Sequence, residues 1–61
     1  KMADLKERYE VDWEDGNKCF ATYKGAFNFY MKLREGKGFE WLYVFDQLKN
    51  EYLILENCYA G

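Results

Sequence analysis

The stretch that decides the fold is Phe39-Glu40-Trp41-Leu42-Tyr43-Val44-Phe45-Asp46, followed after Gln47-Leu48-Lys49-Asn50 by Glu51-Tyr52-Leu53-Ile54-Leu55-Glu56-Asn57-Cys58. Runs rich in aromatic and β-branched residues, separated by four polar or turn-forming positions, read as a β-hairpin. A four-residue loop pairs Phe45 with Tyr52 and Val44 with Leu53. On a strict pleat Leu42, Val44, Leu53 and Leu55 then point one way. Phe39, Trp41, Tyr43, Phe45, Tyr52 and Ile54 point the other. Both faces are apolar, the pattern of strands covered on both sides.

Upstream, residues 6–14 alternate, with Tyr9, Val11 and Trp13 on one side and Arg8, Glu10, Asp12 and Glu14 on the other. Period two reads as a half-buried strand. Asp15-Gly16-Asn17 is a hairpin turn, because glycine and asparagine take positive φ at little cost. A return strand over about 19–22 follows, with Phe20 on the Val11/Trp13 face if the turn has two residues. Thr22 can cap a helix that starts near Tyr23. Ala26, Phe29, Tyr30 and Leu33 form one apolar stripe at helical spacing. Gly36 stops that helix, with Lys32, Arg34 and Lys37 near its negative end.

The expected architecture is therefore a single small α+β domain over residues 1–61, in the order ββαββ, with two antiparallel hairpins forming a sheet and one helix on one face. Residues 1–5 read as a frayed start, and Lys1 as an addition ahead of Met2-Ala3-Asp4. One helix of ten or eleven residues is about 16 Å long and about 10 Å across. Four strands at about 4.8 Å spacing span about 19 Å. The helix covers part of one face and leaves the other bare. Either a second copy covers that face, or the first hairpin folds over it in a sandwich-like monomer.

Composition narrows the chemistry. The chain has 61 residues, no histidine and no proline, two cysteines and a formal net charge of −2. Without histidine there is no imidazole base and no histidine-containing zinc site, and no metal or cofactor is expected. Cys19 and Cys58 stand 39 positions apart with no metal-type spacing, which fits reduced thiols in a cytoplasmic protein. The longest apolar run, residues 41–45, is far short of the roughly 20 residues of a membrane helix. Residues 12–17 depart from the EF-hand pattern, which asks for Glu at loop position 12. Eleven acidic residues supply carboxylate pairs, but none has a nucleophile or a phosphate loop beside it, so no catalytic residue and no enzymatic activity are assigned.

Three binding patterns remain. Trp41, Tyr43, Phe45 and Tyr52 are interface anchors by type, since aromatic residues dominate interface energetics. Glu10, Asp12 and Glu14 form an acidic stripe that suits a basic partner. Lys32, Arg34 and Lys37, beside the aromatics, suggest single-strand nucleic-acid binding, although an RRM runs βαββαβ and has a glycine-aromatic signature that residues 39–46 lack. The acidic balance makes nucleic acid the weaker partner. The reading reached is a non-enzymatic protein-binding module that associates with itself, most simply as a two-fold dimer. A subunit of a larger assembly is a further alternative. In size, acidity and element order the chain is similar to small phage and mobile-element proteins that bind and block a host protein.

Overall fold

The computed structural model describes residues 5–36 and 39–59, with side chains over 6–36 and 39–56. A short 3-10 turn, Leu5–Glu7, leads into β1 (Tyr9–Trp13) and β2 (Gly16–Phe20). Helix α1 (Tyr23–Glu35) follows, then β3 (Phe39–Asp46) and β4 (Glu51–Tyr59). The strands make one antiparallel-paired sheet in the order β2-β1-β3-β4, so the ββαββ domain expected from the sequence is the fold. The first hairpin lies in the sheet beside β3 and does not fold over it, which removes the sandwich alternative. Lys37, Gly38 and the side chain of Cys58 lie outside the described residues, as do residues 1–4 of the expected frayed start 1–5 and the Lys1 assignment.

Both β1 and β2 are displaced from their expected limits. Residues 5–7 take a 3-10 turn, where Leu5 was expected in the frayed start and the alternation suggested strand from residue 6, and the turn is Glu14-Asp15, with Trp13 opposite Gly16. Gly16 sits at φ +155°, a conformation that L side chains rarely adopt, so a glycine there is required to start β2. The two-residue turn places Phe20 opposite Tyr9, on the Val11/Trp13 face as expected.

Thr22 caps α1: its Oγ1 accepts the Gly25 N–H at 3.1 Å, and its carbonyl accepts the Ala26 N–H at 3.2 Å. Ala26 and Tyr30 are buried beneath the helix, with Phe29 and Leu33 packed at the margin. Gly36 ends it at φ −78°, outside the left-handed region, its N–H donating to the Leu33 carbonyl at 3.3 Å. The termination is thus a tightened last turn and not a left-handed glycine cap.

α1 covers the aliphatic side of the sheet. Val11, Leu42 and Val44, all fully buried, form the core with Ala26, Tyr30 and Phe39. Each fully buried aliphatic side chain contributes about 1.5–3 kcal/mol. Phe39 was expected on the face of Trp41, Tyr43 and Phe45; it instead joins this buried cluster and lines a cleft with Trp13, Leu33 and Gly36 at the end of the helix.

The second hairpin carries a β-bulge that the strict pleat missed. Phe45 pairs with Tyr52 as expected, but Val44 pairs with Ile54 and not with Leu53. One extra residue in β4 inverts the alternation beyond it. Leu53 and Ile54 both pack against the core, while Leu55, opposite Tyr43, is 57% exposed. Ile54 and Leu55 therefore exchange the faces assigned from sequence.

A polar clasp locks the N-terminal end of β1 to the C-terminal end of β3. Arg8 donates from Nε and Nη2 to the two carboxylate oxygens of Asp46, both at 2.9 Å. The Oδ1 of Asp46 also accepts the Leu48 and Lys49 N–H groups at 3.0 and 3.2 Å, shaping the loop that Asn50 closes at φ 57°. The Gln47 N–H donates to the Arg8 carbonyl at 2.8 Å. The Arg8 guanidinium and the two backbone donors hold the nearly buried Asp46 carboxyl down to about 2.

Two outcomes follow. Because the Asp46 pKa is lowered in the fold, its stabilisation is present above the ordinary carboxylate range and is lost as pH falls toward about 2. Asp46→Asn, which keeps an acceptor for the loop but not the charge, should flatten this acid limb in a chemical-denaturation series between about pH 5 and about pH 2. Leu42→Ala should cost about 2–5 kcal/mol by the same measurement, a large fraction of the stability of so small a domain.

Candidate binding face

On the sheet face opposite α1, the 3-10 turn packs at the β2 edge, where Gln47 Nε2 joins the Glu7 carbonyl and the Cys19 thiol, and no described element covers the β3–β4 part. β3 contributes Trp41, Tyr43 and Phe45 to it, since Leu42 and Val44 point under the helix. The bulge brings Tyr52 and Leu55 of β4 alongside. Trp41 stacks on Tyr43, with ring centroids 5.6 Å apart and planes 20° from parallel. Tyr52 meets the rings of Tyr43 and Phe45 edge-on, at 5.0 and 4.9 Å. Such geometry adds about 0.5–1.5 kcal/mol per pair beyond area burial.

This row is partly self-shielded. Trp41, Tyr43 and Phe45 are half-buried against one another and their neighbours, while Tyr52 is 54% exposed. The open apolar surface is thus smaller than four fully exposed aromatic side chains would present. All four anchors named from sequence lie on one face, joined by Leu55, which the strict pleat had placed on the Leu42/Val44 face.

β1 supplies the acidic border. Glu10 stands opposite Phe45 and Asp12 opposite Tyr43, so both carboxylates fall on the open face. The Tyr43 hydroxyl donates to Asp12 Oδ2 at 2.6 Å, fixing the ring and the carboxylate together. That bond, with burial and the adjacent negative charge, pushes the Tyr43 hydroxyl well above its ordinary range. Partial burial, and then the neighbouring Asp12, raise the Glu10 carboxyl. Glu14, the third member of the expected stripe, is exposed at the β1–β2 turn and does not extend the face.

β2 completes the border with Asn17, opposite Asp12, and Cys19, opposite Glu10. Cys19 is a free thiol, 3.7 Å from Gln47 Nε2, and burial followed by the charge of Glu10 pushes its pKa up. A raised pKa disfavours the thiolate, and with it nucleophilic use.

The basic residues are elsewhere. Lys32 and Arg34 belong to α1, on the other side of the sheet. Arg34 Nε donates to Glu56 at 3.1 Å, and Glu56 stands opposite Leu42 on the covered face. Lys18 lies over the Phe20 and Phe29 rings, also on the helix side. The structure therefore does not bring Lys32 and Arg34 together with the aromatic row; Lys37 lies outside the described residues.

Two clefts lie off this face. The larger, about 370 Å³, is bounded by Tyr9, Tyr23, Leu53 and four charged residues, of which Arg8 and Asp46 are paired with each other and Lys49 and Glu51 lie at the β3–β4 loop. The smaller, about 190 Å³, lies between Trp13, Leu33 and Phe39. Among the described residues no group of three or more histidine, cysteine, aspartate or glutamate side chains could hold a metal ion. No helix among them is long and apolar enough to cross a membrane. Comparison with protein-family models, with curated proteins and with solved structures returns no match.

Proposed function

We propose that this protein is a small binding module with no chemistry of its own, and that two copies associate through the open sheet face. The supporting observation is the connected row Trp41–Tyr43–Tyr52–Phe45, left without cover on the side away from α1. Aromatic side chains offer large contact area at low entropic cost, which is why they anchor interfaces.

The size of the face sets the strength of the association. Four strands span about 19 Å, and the eight residues of β3 about 26 Å, a flat footprint on the order of 500 Å². A standard interface buries about 800 Å² per partner. The dimer is accordingly weak and reversible, which leaves the face available to a different protein. Occlusion of a host protein's surface, the mode of a small inhibitor, needs nothing beyond such a face, and a cytoplasmic setting fits the free Cys19 thiol.

Nucleic-acid binding through the same aromatics is the weaker reading. It needs cations beside the rings, and the described neighbours of the rings on β1 are Glu10 and Asp12. Phosphates are repelled there.

Sedimentation across a dilution series tests the proposal. The wild-type chain should pass from monomer to dimer with concentration, while Tyr52→Ser combined with Leu55→Ser should remain monomeric with an unchanged circular dichroism spectrum. Both side chains are more than half exposed, so their truncation spares the core. A wild-type monomer at every concentration, or a variant that dimerises equally well, would contradict it. Larger oligomers would favour a structural subunit.

A further inference from the structure

Building on the open face as a docking surface, we propose that its preferred occupant is a cationic protein segment, one presenting arginine or lysine among apolar side chains, and not a second copy of this chain.

The charge layout carries this assignment. Glu10 and Asp12 occupy alternate positions of β1 and look out on the same side as Tyr43 and Phe45. Among the described strand residues on that side, Glu10, Asp12, Asn17, Cys19 and the apolar row, none is a lysine or arginine. Of the cations on or beside the described strands, Lys18 lies on the helix side, Arg8 is held by Asp46, and Lys6 belongs to the 3-10 turn at the β2 edge, away from the aromatic row on β3 and β4. A second copy seated face to face covers its own two carboxylates and its partner's two with no positive charge from the described strands. Desolvating charge without a partner is costly.

A cationic segment reverses that balance. Its guanidinium or ammonium groups meet Glu10 and Asp12, and the rings of Phe45 and Tyr43, paired across from those carboxylates, offer cation–π contact. The Tyr43–Asp12 bond holds one carboxylate in place before binding, which lowers the ordering cost. Partial burial, and then the neighbouring Asp12, disfavour ionised Glu10, and an incoming positive charge offsets the second of these. The weak homodimer is then a resting state that a basic partner displaces.

The test uses the whole isotope-labelled chain and three probes: a short peptide of alternating arginine and leucine, its glutamate–leucine counterpart, and single-stranded oligothymidylate. The arginine–leucine peptide should shift the backbone amides of Glu10, Asp12, Tyr43 and Tyr52 in a two-dimensional NMR spectrum. Its affinity should fall as salt rises. Glu10→Gln combined with Asp12→Asn, which preserves side-chain shape and the acceptor for Tyr43, should weaken it about tenfold or more, while Lys32→Gln should not. Equal affinity in the double variant, equal binding of the glutamate–leucine peptide, or the same shifts with oligothymidylate would overturn the assignment. The outcomes separate the two readings. A chain that is always monomeric yet binds the cationic peptide in this way refutes only the self-association, whereas a dimer that the peptide neither binds nor dissociates refutes only the cationic occupant.

Discussion

One helix for two apolar sheet faces is the constraint on which this molecule depends. β3 sits inside the sheet between β1 and β4 and carries apolar side chains on both sides. α1 shields Leu42 and Val44, together with Val11 from β1, and these three become the fully buried centre. Nothing among the described residues does the same for Trp41, Tyr43 and Phe45. They shelter one another by ring contacts, with Tyr52 as the link. Aromatic pairing thus partly offsets the missing cover and leaves a surface that is apolar yet organised before any partner arrives.

The two ends of the sheet are secured differently from its middle. At one end the Arg8–Asp46 pair joins β1 to the β3–β4 loop, with Asp46 also satisfying two loop N–H groups. A nearly buried carboxylate is tolerable because its oxygens are met by four donors. At the helix C-terminus, Arg34 reaches Glu56 on β4 and ties α1 across the covered face. The binding face is spared these contacts, so its polar groups, Glu10 and Asp12, stay turned outward.

Much of this was legible from local chemistry. The Thr22 cap, the Ala26/Phe29/Tyr30/Leu33 stripe and the pairing of Phe45 with Tyr52 follow from spacing and turn length alone, and each stands in the structure. Two features were not legible. The β4 bulge has no glycine or other marker, yet it moves Ile54 under the helix and Leu55 into the open, because alternation predicts faces only while pairing stays in register. The adjacency of β1 and β3 is a tertiary fact. It sets Glu10 and Asp12 against Phe45 and Tyr43 and puts Lys32 and Arg34 on the far side. The acidic stripe and the aromatic row were each visible as patterns, but their union into one surface depends on strand order, which neither hairpin encodes alone.

The central claim is that the aromatic face is bare in the single chain and covered only by association. Hydroxyl-radical labelling of Tyr52 and Leu55, read by mass spectrometry from dilute to concentrated solution, addresses it directly. Strong labelling of both in dilute protein, with protection appearing as concentration rises, is the expected result. Protection at every dilution would show that the chain covers this face itself, and unchanged labelling at every concentration would show that no second copy does.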